Sequence, residues 1–163
     1  MTTNSYTALI KGKTVTFTHI GATAKPLFKD VTSVSVIPFT KDGDIVAVHL
    51  KHRGLDLPGG HVEPGETEAE QTIHREAMEE AGITVTHPVL IEVIESDYYE
   101  HQTYMLLYSA FVHEFHEYEP GDYEMSEGRE IVSQDEFIER YEAGNKKLMK
   151  QAIQSAWQIL KIM

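Results

Sequence analysis

A chain of 163 residues, 41% hydrophobic and 25% charged, fits one globular domain and argues against disorder. Its formal charge of −12 argues against broad binding to nucleic acids or anionic membranes, although a bound divalent cation can reverse the field locally. The sequence has no cysteine, no secretory leader and no apolar run near the roughly 20 residues that span a bilayer, so we expect a cytoplasmic protein without disulfides.

The first half of the chain predicts strands. The segments with strand-like alternation or apolar content are residues 7–20, as two short strands, 34–37 and 45–50. Val15, Phe17 and His19 alternate with threonines, which is typical of a half-buried strand. The turn residues Asp42 and Gly43 predict a hairpin, because glycine accepts the positive φ that such turns need.

The second half mixes helices with strands. Helical periodicity runs from about residue 67 to 81, where Gly82 is suited to end the helix. The remaining predictions are strands at 83–85, 89–94, 103–112 and 131–133, an acidic loop at 117–130, and helices at 135–141 and 145–162. This order predicts an α/β or α+β sandwich with helices packed on a mixed sheet. We treat residues 1–163 as one domain, with the strands within 1–30 as an extension and the helix at 145–162 as its C-terminal element.

The predicted helix at 67–81 carries three carboxylates on one face. At roughly 100° per residue, Glu76, Glu79 and Glu80 fall within an arc of about 100°, beside an apolar stripe spaced by four residues. Like charges this close destabilise a helix unless something compensates them, and Mg²⁺ prefers carboxylates together with substrate phosphates. Arg75 can orient a neighbouring acid. The alternative is an ordinary solvated acidic face, because glutamate is a good helix former.

The Gly59-Gly60 turn upstream favours the functional interpretation of this acidic helix. Bare glycine backbone permits close approach of an anion or a metal, and its carbonyls can serve as ligands. A glycine turn that leads into a helix with an acidic face is less expected if that face is only a solvated surface.

Residues 60–83 resemble a Nudix box, whose pattern is Gly, five residues, Glu, seven residues, Arg-Glu, apolar, any, Glu-Glu, any, Gly, apolar. The matching residues are Gly60, Glu66, Arg75, Glu76, Glu79, Glu80, Gly82 and Ile83. Eight residues rather than seven separate Glu66 from Arg75. Because the spacing of the pattern is regular beyond Arg75, we expect an irregularity near 67–70, and the match leaves open whether Glu66 reaches Arg75 or the metal.

The resemblance implies a Nudix-like α/β/α sandwich and Mg²⁺- or Mn²⁺-dependent hydrolysis of phosphoanhydride bonds in a nucleoside diphosphate linked to another group. It implies that the metal ligands are Glu76, Glu79, Glu80 and the Gly59 carbonyl. It also implies that Arg75 orients Glu76 and that Glu79 is a ligand or the general base. Members of the family often take a base from a loop outside the box, and among Glu124, Glu127 and Glu130 in the acidic loop we favour Glu127.

Two cations stand out just before the glycine turn. Lys51 and Arg53 are candidates for contacts with substrate phosphates, together with the bare backbone of Gly60, and the alternative is a solvated turn. The expected partner is a small nucleotide, with no membrane and no long nucleic acid, and the family also allows a homodimer. Two other hypotheses remain: a catalytically silent nucleotide-binding module of the same fold, and a structural cation-binding domain.

Overall fold

The computed structural model describes residues 4–51, 54–120 and 126–163. Within these ranges nine strands form one mixed sheet. The strands are β1 (Ser5–Ile10), β2 (Lys13–His19), β3 (Val31–Phe39), β4 (Ile45–Leu50), β5 (Gly54–Asp56), β6 (Gly59–His61), β7 (Ile83–Ser96), β8 (Thr103–Phe115) and β9 (Ser126–Val132). The main path runs β1-β2-β7-β8-β3-β4-β5, while β6 pairs with β3 and β9 pairs with β4. Among the pairings of these nine described strands, only β3–β8 is parallel, and β8 is central, as its apolar sequence predicts.

Three helices cover the two faces of the sheet in the described residues. They are α1 (Ala69–Glu76), which continues into a π-helical turn (Ala77–Ala81), α2 (Gln134–Arg140) and α3 (Lys146–Leu160); a short 3₁₀ turn (Phe28–Asp30) precedes β3. None of these helices is long and apolar enough to cross a membrane. The mixed sheet between helices confirms the predicted fold class.

The alternation of β3 and β4 divides the core into two layers. On one face Val34, Val36 and Val46 pack against Ile73 and the alanines of the acidic helix. On the other face isoleucine and phenylalanine side chains of the same strands pack against α2 and α3. The helix with the carboxylates is thus anchored by its apolar stripe, which directs its acidic side towards the sheet edge.

One edge of β3 is shared by two partners, and this arrangement positions the glycine turn. β3 pairs with β4 only at Phe39, whereas its earlier residues, 33–35, pair with the glycine strand β6. Gly59 and Gly60 therefore lie between the sheet and the acidic helix.

Two predictions about local structure are wrong in part. A loop was expected at 117–130, but the residues from Ser126 onwards form β9, which pairs along the edge of β4. Pairing with a neighbouring strand decides this, because backbone hydrogen bonding overrides the low β-propensity of Glu and Gly. The helix predicted from about residue 67 to 81 also differs in part, since α1 begins at Ala69 and the last turn, Ala77–Ala81, is π-helical.

Candidate active site

The acidic helix begins later than predicted. Glu68 is extended, and the Gln71 side-chain oxygen accepts hydrogen bonds from the backbone of Thr67 (2.6 Å) and Glu68 (3.1 Å). These bonds satisfy two backbone donors at the helix entry. The extra residue of the box is therefore accommodated outside the helix, and Glu70 in its first turn is exposed.

Arg75 is the centre of the acidic cluster. Its guanidinium contacts Glu66 (2.8 Å), Glu76 (2.9 Å), Glu63 (3.2 Å), Glu79 (3.3 Å) and the carbonyl of His61 (2.8 Å). One cation thus offsets the repulsion among four carboxylates, and these contacts hold its own pKa above the ordinary value for arginine.

Glu66 reaches Arg75 despite the extra residue between them. It also accepts hydrogen bonds from the Glu63 amide (2.8 Å) and the Thr72 hydroxyl (2.9 Å). The Arg75 hydrogen bond, helped by these two donors, outweighs burial and lowers the pKa of Glu66 to about 2. Glu66 is therefore a fixed anion that ties the loop 61–68 to the helix.

Glu76 is packed directly against Gly60. The residue is 4% exposed, and a Cβ added to Gly60 would lie 2.4 Å from its Oε1. Oε1 accepts a hydrogen bond from Arg75, whereas Oε2 is buried without a hydrogen-bond partner among the described residues. Burial raises the pKa of Glu76 although Arg75 opposes this effect. A buried carboxylate oxygen that lacks a donor is costly unless a cation or a proton joins it.

Glu80 lies against the other glycine of the turn. Its Oε1 accepts a hydrogen bond of 2.7 Å from the Gly59 amide, and the residue is 3% exposed. A Cβ on Gly59 would lie 2.3 Å from the Ser35 hydroxyl oxygen, so a larger residue would clash there. Neither position leaves room for a side chain, because the backbone of Gly60 lies against the Glu76 carboxylate and that of Gly59 lies against strand β3.

Glu79 is the most exposed carboxylate of the three. Its side chain is 28% exposed and its Oε2 lies 3.3 Å from Arg75 Nη1. It therefore faces solvent while Glu76 and Glu80 are buried, which separates the cluster into two held carboxylates and one accessible carboxylate.

The carbonyl end of the acidic helix is clamped by three side chains that sequence reasoning missed. Tyr118 and Ser126 donate hydroxyl hydrogen bonds to the Glu80 carbonyl, at 2.9 and 3.0 Å. Arg129 donates to the carbonyls of Ala81 (2.9 Å), Gly82 (3.1 Å) and His116 (2.9 Å). These contacts satisfy carbonyls that a helix end leaves without partners. Arg129 could have been noticed because it is the only Lys or Arg between Arg75 and Arg140.

The candidate phosphate-binding and base residues outside the box do not lie together. Lys51 is exposed and follows Leu50, the β4 residue that pairs with Ser126 beside the helix end. Glu127 is exposed on β9, next to Ser126. Glu130 instead contacts Arg140 (2.8 Å) and His49 (2.5 Å), and these partners lower its pKa to about 2. Arg53 and Glu124 lie outside the described residues.

The cluster fits a divalent cation in its chemistry but forms no complete cage. In the described part of the chain, no three His, Asp or Glu side chains converge as a ready metal-binding group. The buried Oε2 of Glu76 nevertheless has an unused acceptor beside bare glycine backbone, and oxygen donors are those that Mg²⁺ prefers. Mg²⁺ usually takes one or two protein carboxylates and completes its shell with waters and substrate phosphates, so a full protein cage is not needed.

Comparison with known proteins gives one consistent result. The NUDIX domain model matches residues 29–152. The chain is similar in structure to the Bacillus subtilis pyrophosphohydrolase BsRppH, with 21% identity, a TM-score of 0.67 and 96% of each chain covered. A NUDIX hydrolase from Nitrosomonas europaea has 24% identity and a TM-score of 0.62, over 82% of this chain and 95% of that one. The NUDIX domain of Shewanella oneidensis NrtR, complexed with ADP ribose, has 13% identity and a TM-score of 0.63, over 85% of this chain and 95% of that one. No curated protein sequence matches the chain.

Proposed function

Because the chain belongs to the NUDIX family and is a hydrolase of the pyrophosphohydrolase type, we propose that it cleaves a nucleoside diphosphate linked to another group, with Mg²⁺ or Mn²⁺ as cofactor. The observation that carries this proposal is Glu76, a buried carboxylate with one oxygen lacking a partner and facing the bare backbone of Gly60. Buried polar atoms without a hydrogen-bond partner are rare in proteins, so this oxygen needs an explanation, and a bound cation supplies one.

The proposed cation ligands are Glu76, Glu79, Glu80 and the Gly59 carbonyl. When bound, the metal would neutralise the diphosphate and lower the pKa of a bound water. Arg75 opposes the rise that burial causes in the pKa of Glu76 and fixes the orientation of its carboxylate, because the two side chains are joined at 2.9 Å. The Gly59 amide holds Glu80 at 2.7 Å in the same way, so both buried carboxylates are oriented before substrate arrives.

Glu79 is the proposed general base. It is the accessible carboxylate of the cluster, so it can accept the proton of an attacking water without being desolvated first. Glu127 is the alternative, since it is exposed near the carbonyl end of the same helix. The two assignments predict opposite results: kcat falls in Glu79→Gln if Glu79 is the base, and in Glu127→Gln if Glu127 is the base.

The substrate is proposed to be a small nucleotide. A protein of similar fold supports this proposal, since the NUDIX domain of NrtR was crystallised with ADP ribose. Lys51 supplies an exposed cation near the helix end, and Arg53 follows two residues later in the sequence. We propose that one or both contact substrate phosphate, together with the backbone of Gly60.

The test is a panel of nucleoside triphosphates, nucleotide sugars and dinucleoside polyphosphates with Mg²⁺ and with Mn²⁺, read as phosphate or pyrophosphate release. Glu79→Gln and Glu80→Gln should each lower kcat at least about a hundredfold, as expected for general acid–base and ligand groups. The matched control is Glu70→Gln, an exposed glutamate on the same helix, which should retain normal turnover.

Near-normal turnover in both the Glu79 and Glu80 variants would refute the site. Loss of turnover in Glu127→Gln with normal turnover in Glu79→Gln would move the base to β9. Nucleotide binding without turnover, with either metal and across the panel, would instead identify a silent binding module.

A further inference from the structure

A cavity of about 390 Å³ lies between the β1–β2 hairpin, β7 and α3. It is on the face of the sheet that α3 covers, whereas the acidic helix packs on the opposite face. None of the described residues that line it is a proposed metal ligand or general base. Its volume is within the range typical of sites for small ligands. The cavity is therefore a candidate binding site separate from the catalytic cluster.

The β1–β2 hairpin forms one wall of this cavity. Its second strand pairs with β7 through residues 17–19. Just beyond that strand, the Ile20 amide donates a hydrogen bond of 2.9 Å to the Val93 carbonyl, and the Gly21 amide donates one of 2.5 Å to Glu92 Oε1. The whole hairpin precedes residue 29, where the match to the family model begins. The cavity is thus built partly by a segment that the family model does not include.

Glu92 supplies a negative charge to the cavity. Its Oε1 accepts hydrogen bonds from the backbone amides of Gly21 (2.5 Å) and Val93 (3.1 Å), which use both lone pairs of that oxygen. Its Oε2 lies 3.6 Å from Nδ1 of His19 and accepts no hydrogen bond from the described residues. Burial tends to raise the pKa of Glu92, but His19 and the two amides lower it below its ordinary value. The cavity therefore holds a carboxylate with one oxygen open to a ligand.

The polar groups around this oxygen favour an ammonium ion as the ligand. No Lys or Arg is among the described residues that line the cavity, so an anionic ligand would meet a carboxylate without a compensating Lys or Arg. Because Oε2 alone is open, Glu92 cannot offer the two parallel bonds that a guanidinium takes from a carboxylate. An ammonium instead has three donors that point in different directions. Gln151 and Ser155, one turn apart on α3, supply further oxygen acceptors.

The apolar part of the lining fits a hydrocarbon chain. Ile91 on β7 and Leu148 and Ala152 on α3 are all buried side chains that line the cavity. A metal ion would gain nothing from these groups, and no three His, Asp or Glu side chains of the described residues converge to hold one. We propose that the cavity binds a small aliphatic primary amine, whose ammonium contacts Glu92 Oε2 and whose methylene chain packs on this apolar surface.

The test is calorimetry on the full-length protein with 1,4-diaminobutane and with 1,4-butanediol, which has the same chain but no charge. A hydrogen bond to a charged group predicts that the diamine binds about tenfold or more tightly than the diol. Glu92→Gln keeps an oxygen for the Gly21 amide but removes the charge, so it should abolish this preference. Glu142→Gln removes the same charge from an exposed position, and it should bind the diamine as the wild type does.

A second pair of variants locates the bound amine. Ser155→Leu should weaken diamine binding about tenfold or more, because the larger side chain occupies the cavity and removes an acceptor. Gln154→Leu, at an exposed position of α3 that does not line the cavity, is its control. Amide hydrogen exchange should slow in the β1–β2 hairpin when the diamine binds, and it should not change in the acidic helix, which lies on the other face of the sheet.

Several results would overturn the proposal: no measurable diamine binding, equal affinities for the diamine and the diol, or a preference that survives in Glu92→Gln. Equal losses in Glu142→Gln and Glu92→Gln would also overturn it, because they would show that the net negative charge of the chain attracts the diamine nonspecifically. Thermal unfolding without ligand separates lost binding from lost folding. If Glu92→Gln does not fold, the comparison of Ser155→Leu with Gln154→Leu decides. Turnover is not measured, so the result is independent of the proposed catalytic function.

Discussion

Replacing Glu66 with glutamine should destabilise the protein through its contact with Arg75. The carboxyl pKa falls from its ordinary 4.5 to about 2 in the folded chain. That difference corresponds to a ceiling of about 3 kcal/mol of folding free energy at neutral pH. The side chain is 12% exposed, so solvent screens part of the interaction, and a loss of about 1–2 kcal/mol is the expected result.

The sign of the pH dependence follows from the lowered pKa. A group that ionises more easily when folded contributes its full stability above about pH 4.5, and the contribution disappears as the pH falls towards about 2. Urea unfolding of wild type and Glu66→Gln at pH 7, 5, 4 and 3 should therefore show a difference that shrinks through this window. Glu63→Gln, in which the lost carboxylate is 53% exposed and 3.2 Å from Arg75, should cost less. A Glu66 difference that stays constant from pH 7 to pH 3 would contradict the reasoning.

Three further substitutions test other contacts. Gly82→Ala should lower Tm and cost more than about 1 kcal/mol, because φ is +61° there and a methyl group would lie 2.2 Å from an aromatic ring. Arg129→Gln should lower kcat and weaken Mn²⁺ binding measured by calorimetry, because Arg129 binds the carbonyls at the end of the acidic helix. Arg140→Gln is the control and should change neither quantity. Equal effects of the two substitutions would show that the contacts of Arg129 have no special role. Lys51→Ala should raise KM with kcat unchanged, compared with an exposed control, Lys41→Ala; an unchanged KM would remove Lys51 from the site.

The acidic helix was predictable because its information is local. Carboxylates at positions i, i+3 and i+4 share a helix face whatever surrounds them, and the spacing by four of the apolar alanines shows which side is buried. The π-helical turn at Ala77–Ala81 was not predictable in this way. The carbonyls at its end accept hydrogen bonds from Tyr118 and Arg129, which lie in segments about 40 or more residues further along the chain.

The acidic segment at 117–130 shows where composition misleads. Glutamates and two glycines predict a solvated loop, yet Glu130 is fixed by Arg140 and His49, and the strand pairs with β4. A strand on a sheet edge is determined by its partner, which the sequence of the segment alone does not specify. The cavity beside Glu92 was missed for the same reason, since its walls come from three segments that are distant in sequence.

The fold fixes the acidic cluster from both ends of one helix, and the two sets of contacts have different consequences. Near Glu76, Arg75 compensates charge, so removing it would alter ionisation as well as geometry. At Glu80, the clamp binds the backbone carbonyl rather than the carboxylate, so removing it would shift the position of the side chain while leaving its charge intact. A ligand carboxylate that is displaced but still ionised should bind metal more weakly at every pH. A carboxylate that loses its compensating cation should bind more weakly chiefly at low pH. The pH dependence of metal affinity in Arg129→Gln and Arg75→Gln therefore distinguishes positioning of the cluster from its electrostatic support.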